Sequence, residues 1–369
     1  MTRLPLFLLL GLLAACTEGP DQTAVLSPPL VTESSEAIQF AVTRHSQAAC
    51  NATGTLQTSV STFLDTPEAD TLMAARSQWQ ESHQTWSRLL LAYQLARMKP
   101  PQAQQDRDPI DAHPILPGYL DRVPGYPRSG IVYSDVPLTP SFLQQEHQST
   151  DFFYATLGFH PVETLLWGGI DQRPEHRSQL FQRPGNLPEA QFDSRIRRIE
   201  LLRMLAHGLN RDMAVVCVHS NRLALMHALS EVRSQPEVAL ASLTDALEVL
   251  VDTKLAEWEE NSQGETRNGM PLWHSRFART DFEIMALQVE DIHGLWLSTL
   301  LPDAAPDRET AGRLADQATA LTVSLRTHHE TPADISAETI GQTRALAQAL
   351  REGLEGLLPE QSASEEAGQ

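Results

Sequence analysis

A histidine and a carboxylate stand three residues apart in the stretch 158–168, which reads GFHPVETLLWG. On a helix, residues at this spacing point to the same face, so His160 and Glu163 would present a nitrogen and an oxygen side by side. These donors suit a transition metal such as iron or zinc. Two ligands do not complete a metal site, and the sequence does not identify the others.

The same two residues also have a structural interpretation. Pro161 fits the first position of a helix, which would make His160 the N-cap and Glu163 the third helical residue. A glutamate at that position commonly accepts backbone N–H groups in a capping box. Under this interpretation the pair holds no metal.

The stretch 273–281, WHSRFARTD, carries three further candidate site residues. His274 could supply an imidazole ligand, although a lone histidine beside a tryptophan is more often packed or solvated. Ser275 is a nucleophile by type, but no sequence feature places a base beside it. Asp281 is a candidate neighbour of the site, as is Gly158.

Apolar residues recur at three- and four-residue spacing along most of the chain, which predicts helices. Alternating runs bounded by hairpin turns are missing, so strands are not expected. Long helices joined by loops predict an all-α fold of two antiparallel helical-bundle halves. The predicted helices cover 34–50, 67–97, 139–157, 160–167, 188–232, 236–261, 277–301, 308–328 and 333–358. The stretch 188–232 is predicted as one very long helix or two helices in line.

The segment 100–140 differs because its many prolines forbid a long helix. It is too apolar for disorder, so we predict a long ordered loop that packs across the domain near the junction of the two halves. Loops of this kind are usually functional.

Two aromatic residues on one predicted helix, Trp79 and Trp86, are seven residues apart and are predicted to be core anchors. Glu81 and His83 lie on the same helix and could reach a metal, but we expect them at the surface. The remaining histidines, including His328 and His329, show no ligand spacing and are also assigned to the surface.

The amino terminus has the order of a lipoprotein signal. One positive charge and the apolar run 6–13 precede Ala14-Ala15-Cys16, which predicts a signal peptide over 1–15 and lipidation of Cys16. The alternative is a plain secretory signal with a chance cysteine. Residues 16–33 read as a flexible tether, 34–358 as the helical domain and 359–369 as an acidic disordered tail. Thr17, rather than an aspartate, follows the cysteine, which favours the outer membrane facing the periplasm.

The chain has a net charge of −19, which disfavours binding to nucleic acid and to anionic membrane surfaces. Contact with the membrane is therefore expected through the lipid alone. In an oxidising compartment, Cys50 and Cys217 can form a disulfide, and the alternative is two buried free thiols.

The stretch 158–168 resembles the signature of the imelysin family, also called M75 peptidase-like. Residues 117–121 and 124–132 resemble the ordered loop that precedes this signature, Trp79 and Trp86 are similar to an early tryptophan helix, and 273–281 resemble a second motif. The resemblance implies a helical, often lipid-anchored envelope protein with two bundle-like halves. It also implies a link to iron acquisition and a metal site at the His-x-x-Glu motif.

The chain departs from the family pattern at two positions. Leu90 stands where members carry an acid one turn after the second tryptophan, and His274 stands where members carry an acid before the serine. A metal site built on those two acids is therefore not expected here, and His274 is a candidate replacement ligand.

We therefore expect a cell-envelope lipoprotein that binds iron or zinc through His160 and Glu163 and serves iron uptake with an envelope protein partner. One alternative is a metallopeptidase that uses the same pair, although the His-Glu-x-x-His arrangement of helical zinc proteases is absent. Another is a binding or scaffold lipoprotein without a metal.

Overall fold

The computed structural model describes residues 33–101, 107–123, 127–169, 172–183, 185, 193–261, 266–267, 270–271, 273–301 and 308–357. The predicted signal peptide, the lipidation site Cys16, most of the predicted tether and the predicted acidic tail lie outside these residues. Helix already begins at Glu33, the last residue assigned to the tether.

Helices dominate the described residues, and the all-α prediction is confirmed. The only strands in this part of the chain are β1 (Thr266–Arg267) and β2 (Met270–Pro271), which form a short antiparallel pair. Turns of π-helix join α9 to α10 and α11 to α12. The helices are α1 Glu33–Asp65, α2 Ala69–Leu95, α3 Pro117–Leu120, α4 Pro140–Glu146, α5 Phe159–Trp167, α6 Pro174–Gln179, α7 Ser194–Val216, α8 His219–Arg233, α9 Pro236–Glu248, α10 Ala256–Asn261, α11 Asp281–Asp291, α12 Leu297–Leu300, α13 Arg308–Glu330 and α14 Ala337–Glu355.

Two sets of helices share one continuous core. In the first set, α1 packs along α2 and α7, and in the second α13 packs against α11 and α14. Helix α2 contacts members of both sets, and its Trp79 and Trp86 are fully buried, which confirms them as core anchors. The chain from Glu33 onward forms a single compact unit. None of the described helices has the length and apolarity to span a membrane.

Helix α1 is much longer than the predicted 34–50. Its second half is rich in threonine, which usually lowers helix propensity. Here Thr55, Thr58 and Thr62 donate their hydroxyl protons to carbonyl oxygens four residues earlier, at 2.9–3.1 Å. Burial of Val60 and Phe63 against the core stabilises the same turns.

Two predicted helices extend beyond the real ones. The helix predicted over 139–157 ends at Glu146, and the buried ring of His147 then organises the backbone. Its Nδ1 accepts N–H groups from Thr156 and Leu157, each at 3.2 Å. The helix predicted from residue 277 begins only at Asp281, because the preceding residues form a turn around that carboxylate.

Of the two arrangements predicted for 188–232, one long helix or two in line, the structure has two helices, α7 and α8, which separate at Cys217 and Val218. Cys217 caps α7 and forms a disulfide with Cys50 of α1, with the Cα atoms 6.4 Å apart. Of the two arrangements considered for these thiols, the structure has the bridge. It closes a long segment of chain, which restricts the unfolded state.

The proline-rich segment is ordered over its described residues and packs into the core through Ile110, Leu120 and Val132. Asp121 anchors it: the carboxylate accepts two hydrogen bonds from Arg198, at 2.7 and 2.8 Å, and one from Arg177 at 3.1 Å. All three side chains are buried, so loss of one charge would leave the others without compensation in the interior.

The start of α5 is fixed against this loop by a glycine. Gly158 has φ +98°, and a Cβ there would lie 2.4 Å from the carbonyl oxygen of Ile110. The next residue, Phe159, donates its N–H to the same oxygen at 2.8 Å. The close approach holds the loop residues around Ile110 beside the first turn of α5.

We predict that Gly158→Ala destabilises the fold by on the order of 2 kcal/mol or more, because the new methyl group must displace the Ile110 backbone and adopt a disfavoured φ. Urea unfolding would measure the loss. Gly169→Ala is the matched control, since a Cβ at that position meets no atom within 4 Å. Equal stability of the two variants would contradict the prediction.

Candidate metal centre

Four side chains from separate parts of the chain meet beside the first turn of α5. They are His83 of α2, Asp111 of the proline-rich loop, His160 of α5 and His274 from the turn before α11. Each offers one ligand atom, and all four atoms lie within 4.8 Å of one another. Among the described residues, this is the one group of histidine, cysteine and carboxylate side chains with metal-site spacing.

The carboxylate oxygen Oδ1 of Asp111 is the centre of the cluster. The Nε2 atoms of His83 and His160 lie 3.1 Å from it, and that of His274 lies 3.2 Å away. The Nε2 atoms of His160 and His274 are 3.2 Å apart. Tetrahedral bonds of about 2.0–2.1 Å to zinc place neighbouring ligand atoms roughly 3.3 Å apart, so these spacings match a metal centre.

Glu163 lies on the same face of α5 as His160, as its spacing predicts, but outside the group of four ligand atoms. Its Oε2 lies 3.0 Å from Nδ1 of His160, and its Oε1 accepts the N–H groups of Phe277 and Ala278 at 2.7 and 2.8 Å. Glu163 is therefore not a member of the four-residue cluster but orients His160 within it. The interpretation of the pair as a helix cap is wrong, because Gly158 is the N-cap of α5.

The turn before α11 holds His274 in place. Asp281 accepts the backbone N–H of His274 at 2.6 Å and that of Ser275 at 2.9 Å. The hydroxyl of Ser275 donates to the same carboxylate and accepts the N–H of Thr280 at 2.9 Å. Ser275 and Asp281 thus shape the turn, and the buried serine hydroxyl has a structural position rather than that of a nucleophile.

His83 is fully buried, which corrects the surface position expected for it. The indole of Trp79 stacks on its ring, with ring centres 4.8 Å apart, and donates its N–H to the Phe159 carbonyl at 2.8 Å. Glu81 is exposed, as expected. The expectation for His328 was wrong: it is buried and its Nε2 lies 2.8 Å from the Thr343 hydroxyl.

Asp111 is the residue that the sequence analysis missed. Its backbone is fixed by Asp108, whose Oδ1 accepts the N–H groups of Ile110 and Asp111 at 2.8 and 3.2 Å. His147 in turn donates its Nε2 proton to the Asp108 carbonyl at 2.9 Å. The available signal was the pattern DPIDAHP at 108–114, which places two acids and a histidine inside the proline-rich loop.

The ionisation of the buried Asp111 carboxylate depends on the imidazoles around it. Burial opposes ionisation of Asp111, but His274, His83 and the hydrogen bond from His160 hold its pKa well below the usual value. Burial also disfavours charge on His160, yet hydrogen bonds to Asp111 and Glu163 raise its pKa to about 10. Burial lowers the pKa of His274, and it lowers that of nearby His113 to about 2. These shifts favour a protonated His160 beside an ionised Asp111.

One side of the cluster opens towards solvent. The side chain of His274 is 37% exposed, whereas that of Asp111 is 8% exposed and those of His83 and His160 are buried. A cavity of about 220 Å³ lies on this side, and its apolar wall includes Leu90, one of the positions at which this chain lacks an acid. A small ligand could reach the cluster from there.

We predict that His147 makes the fold sensitive to acid. Burial lowers its pKa to about 4, so its neutral form supports the fold above pH 6.5, and that support is lost as the pH falls towards 4. The difference between the ordinary histidine pKa of 6.5 and the folded-state value of His147 corresponds to about 3 kcal/mol of folding stability at most. His147→Asn keeps an acceptor that does not titrate, so its free energy of unfolding should change less between pH 6.5 and 4.5 than that of the wild type.

The comparison variant for this test is His227→Asn, because the side chain of His227 is 76% exposed. Its stability should follow the wild-type pH dependence. Identical pH profiles for all three proteins would show that His147 does not contribute to acid sensitivity.

No curated protein matches the sequence significantly. A family model described as Imelysin, under the family heading Peptidase M75, matches residues 41–358 and so includes all four cluster residues. This match covers most of the chain, and the protein therefore belongs to the imelysin family.

Proposed function

We propose that this protein binds a transition metal, iron or zinc, through His83, Asp111, His160 and His274. The observation that supports the proposal is the convergence of three imidazole nitrogens on one carboxylate oxygen, each at 3.1–3.2 Å. Three neutral imidazoles and one carboxylate form a donor set suited to zinc or ferrous iron.

The surroundings of the cluster also suit a metal. Histidine ligands usually donate their second ring N–H to a carboxylate or carbonyl, which fixes the tautomer and the ring orientation. Glu163 stands in this relation to His160, and two backbone N–H groups hold Glu163 itself. A bound cation would replace the proton that His160 shares with Asp111, so binding releases a proton.

Binding is better supported than peptide hydrolysis. A catalytic zinc site usually has three protein ligands and keeps the fourth position open for water. Here four side chains are available, which would fill a tetrahedral zinc site. Iron accepts further ligands, and these would enter from the cavity beside His274.

We also propose that the protein is an envelope lipoprotein. It would be anchored through lipid on Cys16 and located at the outer membrane, facing the periplasm. Support comes from the order of residues 3–16 and from Thr17. With the family's link to iron acquisition, we propose a role in iron uptake that involves an envelope protein partner.

The ligand assignment predicts that Asp111→Asn, His160→Ala and His274→Ala each lower affinity for the metal at least tenfold, because each removes one donor. The test is calorimetric titration with Fe(II) under anaerobic conditions and with Zn(II). The protein starts at about Thr17, which keeps the whole compact unit from Glu33 onward. The exposed His227→Ala should bind as tightly as the wild type.

Glu163→Gln tests whether the contact between Glu163 and His160 contributes to metal binding. The amide can satisfy His160 or the two backbone donors, but not both, so we expect a loss of about 10–100-fold in affinity, as for other partners of metal ligands. Thermal melts would show that the variant is folded. Metal binding that is unaffected in every variant, or absent from the wild type, rules out the proposed centre. Peptide cleavage that chelators abolish would favour the peptidase alternative.

The lipoprotein proposal predicts that Cys16→Ser prevents labelling by a radioactive fatty acid and changes membrane fractionation, because the thiol is the acyl acceptor. Cys50→Ser is the matched control and should retain the label. Normal labelling of Cys16→Ser would end the lipoprotein assignment.

A further inference from the structure

A groove of about 370 Å³ is formed by α1, α4 and α7. None of the four cluster residues or Glu163 lines it. Its walls are mainly apolar and include Val60, Leu143, Leu157 and Met204. A volume of this size falls within the range of small-molecule sites.

The charged side chains along this groove have one sign. Arg203, His207 and Arg211 follow one another at four-residue spacing on α7, so they form a row about 12 Å long on one face of the helix. Among the residues that the structure describes, no aspartate or glutamate lines the groove. In a chain with a net charge of −19, two arginines beside an apolar floor are a local reversal of the overall charge.

Neighbouring side chains leave donors of this row available to a ligand. Asn210 donates to Gln57 Oε1 at 2.6 Å, and Gln57 Nε2 lies 3.2 Å from Nδ1 of His207. Because an amide nitrogen only donates, Nδ1 of His207 accepts, and the ring proton is on Nε2. Arg211 binds Asp212, whereas Arg203 has no ion-pair or hydrogen-bond partner among the described residues.

We propose that this groove is a second binding site, which takes an organic anion with an apolar body, such as a medium-chain carboxylate. The apolar body would lie on the floor formed by Val60, Leu143 and Leu157. The carboxylate would accept charge-assisted hydrogen bonds from Arg203 and a further one from His207, and Arg211, which binds Asp212, would add its positive charge at the end of the row. Guanidinium groups suit this role because they bind carboxylates with two parallel hydrogen bonds.

The test is calorimetric titration of the protein from about Thr17 with decanoate, and with decanol as a neutral ligand of the same length. We expect saturable binding of one decanoate and at least tenfold weaker binding of decanol. Arg203→Gln and Arg211→Gln should each weaken decanoate binding severalfold, and the double variant should weaken it at least tenfold. Decanol binding should not change in these variants.

Two further variants make the result specific to the groove. Ser61→Trp fills the groove from α1 without removing a charge and should abolish binding of both ligands. Arg222→Gln on α8 removes an arginine outside the groove and should have no effect. Circular dichroism and thermal melts establish that each variant is folded.

The proposal is overturned if decanoate does not bind saturably, if decanol binds equally well, or if the double arginine variant retains full affinity. It is also overturned if Ser61→Trp is folded and binds normally. None of these outcomes bears on the metal centre, because the variants leave its four residues unchanged.

Discussion

The buried carboxylate of Asp111 is the constraint on which the centre of this protein depends. An unpaired charge in the interior is costly, so its position requires compensating groups at hydrogen-bond distance. Three imidazoles supply them, and they come from α2, α5 and the turn before α11. The electrostatic requirement of one side chain therefore ties together segments from both sets of helices.

A second layer of polar contacts makes this arrangement specific. Glu163 holds His160 and is itself held by two backbone N–H groups, Asp281 fixes the turn that carries His274, and Asp108 fixes the backbone of Asp111. Carboxylates thus orient both the ligands and the loops that carry them. Residues whose types suggested direct chemistry, such as Ser275 and Glu163, are satisfied by internal partners instead.

The metal centre and the groove on α7 have opposite electrostatic characters. The centre consists of a carboxylate and imidazoles that could bind a cation. The groove, in contrast, has cationic side chains beside apolar ones. They share structural elements, because Leu157 of the groove directly precedes Gly158 at the start of α5. The two proposed sites of this negatively charged protein thus differ in ligand, since one is suited to a cation and the other to an organic anion.

The sequence by itself determined the features that depend on local spacing. Helical periodicity predicted the all-α fold and the burial of Trp79 and Trp86, and the three-residue spacing placed His160 and Glu163 on one face of α5. Helix ends were less accurate, because side chains distant in sequence, such as His147 against Asp108, decide where the backbone leaves the helix.

The membership of the metal centre was decided only by the tertiary structure. His83 and Asp111 are 28 residues apart in sequence, and Asp111 and His274 are 163 apart, so no local pattern relates them. The tertiary structure also decides that, within the His-x-x-Glu motif, His160 belongs to the cluster and Glu163 orients it. His160 and Glu163 share a helix face, but Oε1 of Glu163 accepts the N–H groups of 277–278, and that backbone reaches α5 only when the helices pack.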